Sequence, residues 1–124
     1  MPIQYKKEGF IYVTFDVEGY HAWANAPEEV AFLRNTHRHM FKFKATISVT
    51  HDDREVEFFL FQREVSKAID CVDNKSCETL ARELCEYISS TYPGRYVEVE
   101  VSEDGENGAI VAYTPVNRPG KAEA

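Results

Sequence analysis

The sequence has little cysteine, no long apolar run and no excess of positive charge, and each lack excludes something. Its 3 cysteines, Cys71, Cys77 and Cys85, are an odd number without paired spacing. That pattern excludes a disulfide framework and implies reduced thiols in a cytoplasmic protein. No apolar run approaches the roughly 20 residues that cross a bilayer, and Met1-Pro2-Ile3-Gln4-Tyr5-Lys6-Lys7 has no apolar signal region. No membrane partner is expected. With 14 basic against 21 acidic side chains, the net charge of -7 also argues against a nucleic-acid polymer or an anionic surface as the main partner. A small anionic ligand in a locally basic pocket remains compatible.

What is present belongs to a folded chain. At 124 residues, 44% hydrophobic and 13% aromatic, the composition supports one domain with a real core. No internal repeat or interior linker is visible. A single domain is expected over residues 1–116. The polar, breaker-rich stretch from Asn117 through Arg118-Pro119-Gly120 to Ala124 is read as a flexible tail.

Alternation organises the first half. Ile11, Val13, Phe15, Val17, Gly19 and His21 fall on one side of a strand over residues 10–21. A loop of about a dozen residues follows, around Asn25-Ala26-Pro27, with room for a helical turn. Residues 37–49 alternate again, with Phe41, Phe43, Ala45, Ile47 and Val49 inward. His51-Asp52-Asp53-Arg54 reads as a turn, and residues 55–59 as a third strand returning beside the second. A first helix is expected over about residues 60–72.

A second helix starts at the N-cap Ser76, with Glu78 in its first turn, and stops at Tyr92-Pro93-Gly94. Cys77, Leu80, Ala81, Leu84, Cys85 and Ile88 form its apolar stripe. Residues 95–103 and 109–114 close the sheet as a hairpin turned at Glu106-Asn107-Gly108. The expected fold is α+β: an antiparallel sheet of four to five strands with two helices packed on one face.

Strand parity then points to chemistry. His21 ends the inward face of the first strand, and His37 and His39 begin the inward face of the second. In antiparallel neighbours these ends lie together. The His-x-His pair puts two imidazoles on one face about 7 Å apart at the backbone, within chelating reach. With His21 they make a three-nitrogen set, which leaves the fourth tetrahedral position of a zinc ion open. Glu103 has the parity of Val97, Val99 and Val101, so a carboxylate sits where the core side of that strand runs out. As residues alone, Glu103 reads equally as a solvated strand-end charge, and Glu78 as a complement to the helix dipole. Cys77 falls on the buried stripe, where a core role is expected.

Val17-Glu18-Gly19-Tyr20-His21 followed by His37-Arg38-His39 resembles the histidine signature of the 6-pyruvoyl/6-carboxy-tetrahydropterin synthases, which have the T-fold (tunnelling fold). The likeness continues in Met40-Phe41-Lys42-Phe43-Lys44, Val56-Glu57-Phe58, Ser76-Cys77-Glu78-Thr79-Leu80-Ala81 and Val101-Ser102-Glu103-Asp104. It runs in order through roughly residues 10–113. The resemblance implies that His21, His37 and His39 hold zinc. It implies that Glu103 grips the amino-pyrimidinone edge of a pterin- or guanine-like ligand, and that Cys77, Glu78 and Thr79 line the same pocket. Such a carboxylate accepts two parallel N–H bonds. The resemblance also implies a homo-oligomer larger than a dimer, because T-fold subunits pair their open sheet edges.

At the family's catalytic positions the likeness stops. Its cysteine four residues before the His-x-His pair is replaced by Leu33, and its Asp-His pair between the helices is missing from the short Asp73-Asn74-Lys75 loop. The remaining histidine, His51, lies twelve strand residues from His39, roughly 40 Å at about 3.3 Å each. The resemblance thus implies a divergent member. Two functions are compatible with it: a zinc enzyme acting on a pterin, deazapurine precursor or related nucleotide, or a non-catalytic protein that captures a guanine-like ligand or nucleotide signal.

Overall fold

A computed structural model describes residues 1–116; the tail expected over 117–124 lies outside the described residues. Two long strands open the fold, β1 (Gly9–His21) and β2 (His37–Val49), separated by a 3-10 segment at Glu28–Arg34. Two helices follow, α1 (Phe58–Lys67) and α2 (Cys77–Thr91), and then a hairpin of β3 (Val97–Glu103) and β4 (Asn107–Tyr113). The four strands form one antiparallel sheet in the order β1-β2-β3-β4. The fold is α+β, compatible with the T-fold.

The inward alternation dictates the core. Phe41, Phe43, Ala45 and Ile47 of β2 and Val97, Val99 and Val101 of β3 are each at most 1% exposed. Onto them pack Phe61 and Val65 of α1 and Leu80, Ala81, Leu84, Cys85 and Ile88 of α2. Complete burial of one such large side chain contributes about 1.5–3 kcal/mol, so this face fixes the register of every strand. The charged alternates, among them Lys42 and Glu100, point to the opposite face.

Two expectations are corrected. Residues 55–59 do not form a strand. The Glu57 carboxylate accepts the Phe59 and Leu60 N–H groups and caps α1, so the chain turns into a helix there. Its alternation was misleading because Phe58, Phe59 and Leu60 are exposed in the first helical turn. The helix α1 also ends at Lys67, short of Val72. Val72 still reaches the core, but from the loop over residues 68–76. The second helix begins as expected, with Ser76 Oγ accepting the Thr79 N–H at 3.1 Å.

Candidate metal centre

The sheet register brings the three histidines together. His21, the last residue of β1, is the Cα partner of His37, the first of β2, and Gly19 is the partner of His39. Gly19 makes the neighbourhood possible. A Cβ on it would lie 2.2 Å from Val72 Cγ2 and 3.0 Å from the Phe41 ring. The loop over residues 68–76 therefore lies directly on β1, tied by the Asn74 N–H donating to Tyr20 O at 2.9 Å and the Tyr20 N–H donating to Asp73 Oδ1 at 2.8 Å. That loop delivers the Lys75 carbonyl to His21.

Each imidazole is oriented through Nδ1. The Nδ1 of His37 lies 2.7 Å from Asn35 O, that of His39 2.7 Å from Asp104 Oδ2, and that of His21 3.3 Å from Lys75 O. All three partners are acceptors; in His37 and His39 this assigns the proton of a neutral ring to Nδ1 and leaves Nε2 with its lone pair, whereas His21 Nε2 also faces an acceptor, Glu103 Oε2 at 3.1 Å. Ring centroids are 4.5, 5.1 and 4.9 Å apart, and one nitrogen from each ring lies within 4.8 Å of the others. The Nε2 atoms of His37 and His39 are buried and have no hydrogen-bond partner. Leaving a buried acceptor unsatisfied costs about 1–3 kcal/mol. Three clustered imidazoles, each with an acceptor at Nδ1, are the arrangement that metal ligation uses. The cluster fits a metal ion.

Two carboxylates complete the surroundings. Glu103 Oε2 lies 3.1 Å from His21 Nε2 and 3.8 Å from His39 Nε2. Asp104, in the β3–β4 turn, accepts from His39 through Oδ2 and from the Met40 N–H through Oδ1 at 2.9 Å. Its carboxyl is held below the usual range, first by the His39 contact and then by the Met40 N–H. Sequence reasoning missed Asp104. Its signal was the Asp104-Gly105 turn dipeptide directly after Glu103, which reads as a turn and not as a site. The Asn35 and Lys75 carbonyls carried no side-chain signal at all.

A cavity of about 530 Å³ opens beside the centre, lined by His21, His37, Glu103, Cys77 and Glu78 together with Trp23 and Leu33. That is the size of a small-molecule site. Thr79 is not among its lining residues, and its N–H and hydroxyl bind Ser76 Oγ in the helix cap. Cys77 lines the cavity yet is 8% exposed, and its thiol is pushed up to about 11 by burial and then by the Glu103 and Glu78 charges. A helix N-terminus favours thiolate, but desolvation and two carboxylates outweigh it. His51 lies beyond the far end of β2, beside Glu55.

No helix among the described residues is long and apolar enough to cross a membrane. Compared with known proteins, the chain matches no family model and no curated protein.

Proposed function

We propose that the chain is a zinc protein that uses His21, His37 and His39 as ligands and receives a flat pterin- or guanine-like molecule in the adjoining cavity. The observation that carries the metal half is the pair of buried, unpartnered Nε2 atoms in a ring of three oriented imidazoles. Three neutral nitrogens favour zinc over magnesium or calcium, which prefer oxygen. For the ligand half, the support is the resemblance together with a carboxylate, Glu103, that shares the cavity with the Trp23 ring. Glu103 would accept two N–H bonds from an amino-pyrimidinone edge.

The enzyme reading is a tetrahydropterin synthase-like lyase acting on a pterin, deazapurine precursor or related nucleotide. Zinc would supply polarisation of a carbonyl or hydroxyl, or activation of a bound water. This chain's own groups support binding better than turnover. Leu33 lines the cavity where the resembling family has its cysteine, and the Cys77 thiol, pushed up to about 11, stays protonated near neutrality. The second reading is therefore a binding protein that captures a guanine-like ligand or nucleotide signal without transforming it. The reading includes a cytoplasmic setting, for which an odd number of cysteines without paired spacing speaks.

The deciding experiment has two parts. Elemental analysis of purified protein is expected to give close to one zinc per chain, lost in the His37→Ala/His39→Ala double variant; zinc retained in that variant removes the site. Mass spectrometry of the small molecule released on denaturation, set beside turnover of dihydroneopterin triphosphate, separates the two readings. Released ligand without turnover means capture, and product formation means an enzyme.

A further inference from the structure

We propose that Glu103 is itself a metal ligand in the ligand-free protein, closing the position that the three histidines leave open. A molecule entering the cavity must then take this carboxylate away from the metal. The proposal rests on the metal half of the functional reading and adds to it a built-in gate.

Distances carry it. Bonds of about 2.0–2.1 Å in a tetrahedral zinc site put neighbouring ligand atoms about 3.3 Å apart. Glu103 Oε2 lies 3.1 Å from His21 Nε2 and 3.8 Å from His39 Nε2, values that bracket this edge length. The carboxylate oxygen thus already stands where a fourth ligand stands relative to two of the nitrogens.

Hydrogen bonding points the same way. The Nδ1 of His21 faces the Lys75 carbonyl at 3.3 Å. Its Nε2 faces the Glu103 carboxylate at 3.1 Å, so the neutral ring stands between two acceptors with a single proton for both. With the proton on Nδ1, a cation between Nε2 and Oε2 bonds both atoms. Among the described residues, the ion-pair contacts of Glu103 are with histidines alone, and no Lys or Arg neutralises it.

The backbone holds the carboxylate there. Glu103 is the Cα partner of Phe41, whose ring is fully buried. The next residue is locked: the Asp104 N–H donates to Met40 O at 2.8 Å while its carboxylate accepts from Met40 N–H and from His39. One turn therefore supplies a carboxylate to each side of His39, Asp104 at Nδ1 and Glu103 toward Nε2.

The consequence is an exchange. An incoming group that offers two parallel N–H donors competes for the Glu103 oxygens through charge-assisted bonds. Withdrawing the carboxylate opens the fourth position at the moment the cavity fills. Ligand entry and exposure of the metal become one event, and water or small anions are kept from the ion in the resting protein.

The test uses the full chain and metal alone. Zinc affinity is measured by competition with a chromophoric chelator for wild type, Glu103→Gln and Glu103→Asp. Cobalt-substituted wild type and Glu103→Gln are then titrated with thiocyanate and followed by visible absorption. Glu103→Gln is expected to bind one equivalent with affinity lowered by more than the about 10- to 100-fold that loss of an outer-shell partner costs, and Glu103→Asp to fall between it and wild type. Thiocyanate is expected to shift the cobalt spectrum of Glu103→Gln and leave that of wild type unchanged. Equal zinc affinity in all three proteins, or thiocyanate binding to wild type, overturns the proposal and leaves a three-histidine site beside a histidine–glutamate ion pair only. Failure of wild type to bind either metal is a different result, and it removes the metal reading as well.

Discussion

The Nδ1 of His39 lies 2.7 Å from one oxygen of Asp104, whose other oxygen accepts the Met40 N–H at 2.9 Å. One carboxylate thus fixes both the His39 ring and the backbone of the strand that carries it. Such partners raise the basicity of the metal-facing nitrogen, and losing one weakens metal binding about 10- to 100-fold. Asp104→Ala is expected to show that loss in a chelator competition. Asp104→Asn keeps an acceptor for one of the two contacts and should recover part of the affinity. Wild-type affinity in Asp104→Ala would reduce the pair to a turn contact.

Gly19 is the position where the site depends on an absent side chain. A Cβ there meets Val72 Cγ2 at 2.2 Å and pushes away the loop that holds His21. Gly19→Ala is expected to destabilise the fold by about 1–3 kcal/mol, as overpacking does, and to weaken metal binding by displacing the Lys75 carbonyl. The control is Gly9→Ala, also on β1, where the added atom meets Val49 Cγ2 at an ordinary 3.6 Å. Urea unfolding with chelator titration separates the two. Equal behaviour of both variants would mean that the loop is not seated on Gly19.

Much of this site was legible because a strand has a period of two. His21, His37, His39 and Glu103 were assigned to one face by parity, and the register places His21 opposite His37 and Glu103 opposite Phe41. Helix α2 was equally readable, since Ser76, its apolar stripe and Gly94 mark start, face and end. Residues 55–59 were not, because Val56-Glu57-Phe58 alternates like a strand while Glu57 acts as a cap. Only the carboxylate's contact with two N–H groups distinguishes the cases. Asp104 and the carbonyls behind His21 and His37 were illegible for another reason: they depend on which loops meet in space.

Acid sensitivity is expected to centre on the turn after β2. Glu55 accepts from the Thr50 hydroxyl, the Thr50 N–H and the His51 N–H and pairs with Arg95, and these contacts lower its carboxyl from 4.5 to about 2. A carboxyl lowered by folding contributes stability that is fully present above its unfolded value. That contribution is lost as pH falls through its folded one. The contribution of Glu55 should thus decline from about pH 4.5 toward about pH 2. Glu55→Gln is expected to be less stable than wild type at neutral pH and to show a shallower fall in urea midpoint across that window. Parallel curves for the two proteins would assign the acid response to other carboxylates.

Sheet edges supply the last expectation. β1 and β4 are the outer strands, so each leaves one row of backbone N–H and C=O groups without a strand partner in the subunit. β1 is 13 residues long and carries exposed Phe10 and Tyr12, and β4 carries Ile110 at 60% exposure. Long apolar edges promote strand pairing between molecules unless they are covered. Joining the β1 edge of one copy to the β4 edge of the next uses two different surfaces, a head-to-tail contact that builds a ring of more than two subunits where the rotation closes and a filament where it does not. Sedimentation velocity at micromolar concentration is expected to give a species larger than a dimer. Ile110→Lys, which places a charge at the edge without touching the core, should shift the distribution toward smaller species. A wild-type monomer would remove side-by-side assembly, while leaving the three histidines where the β1–β2 register puts them.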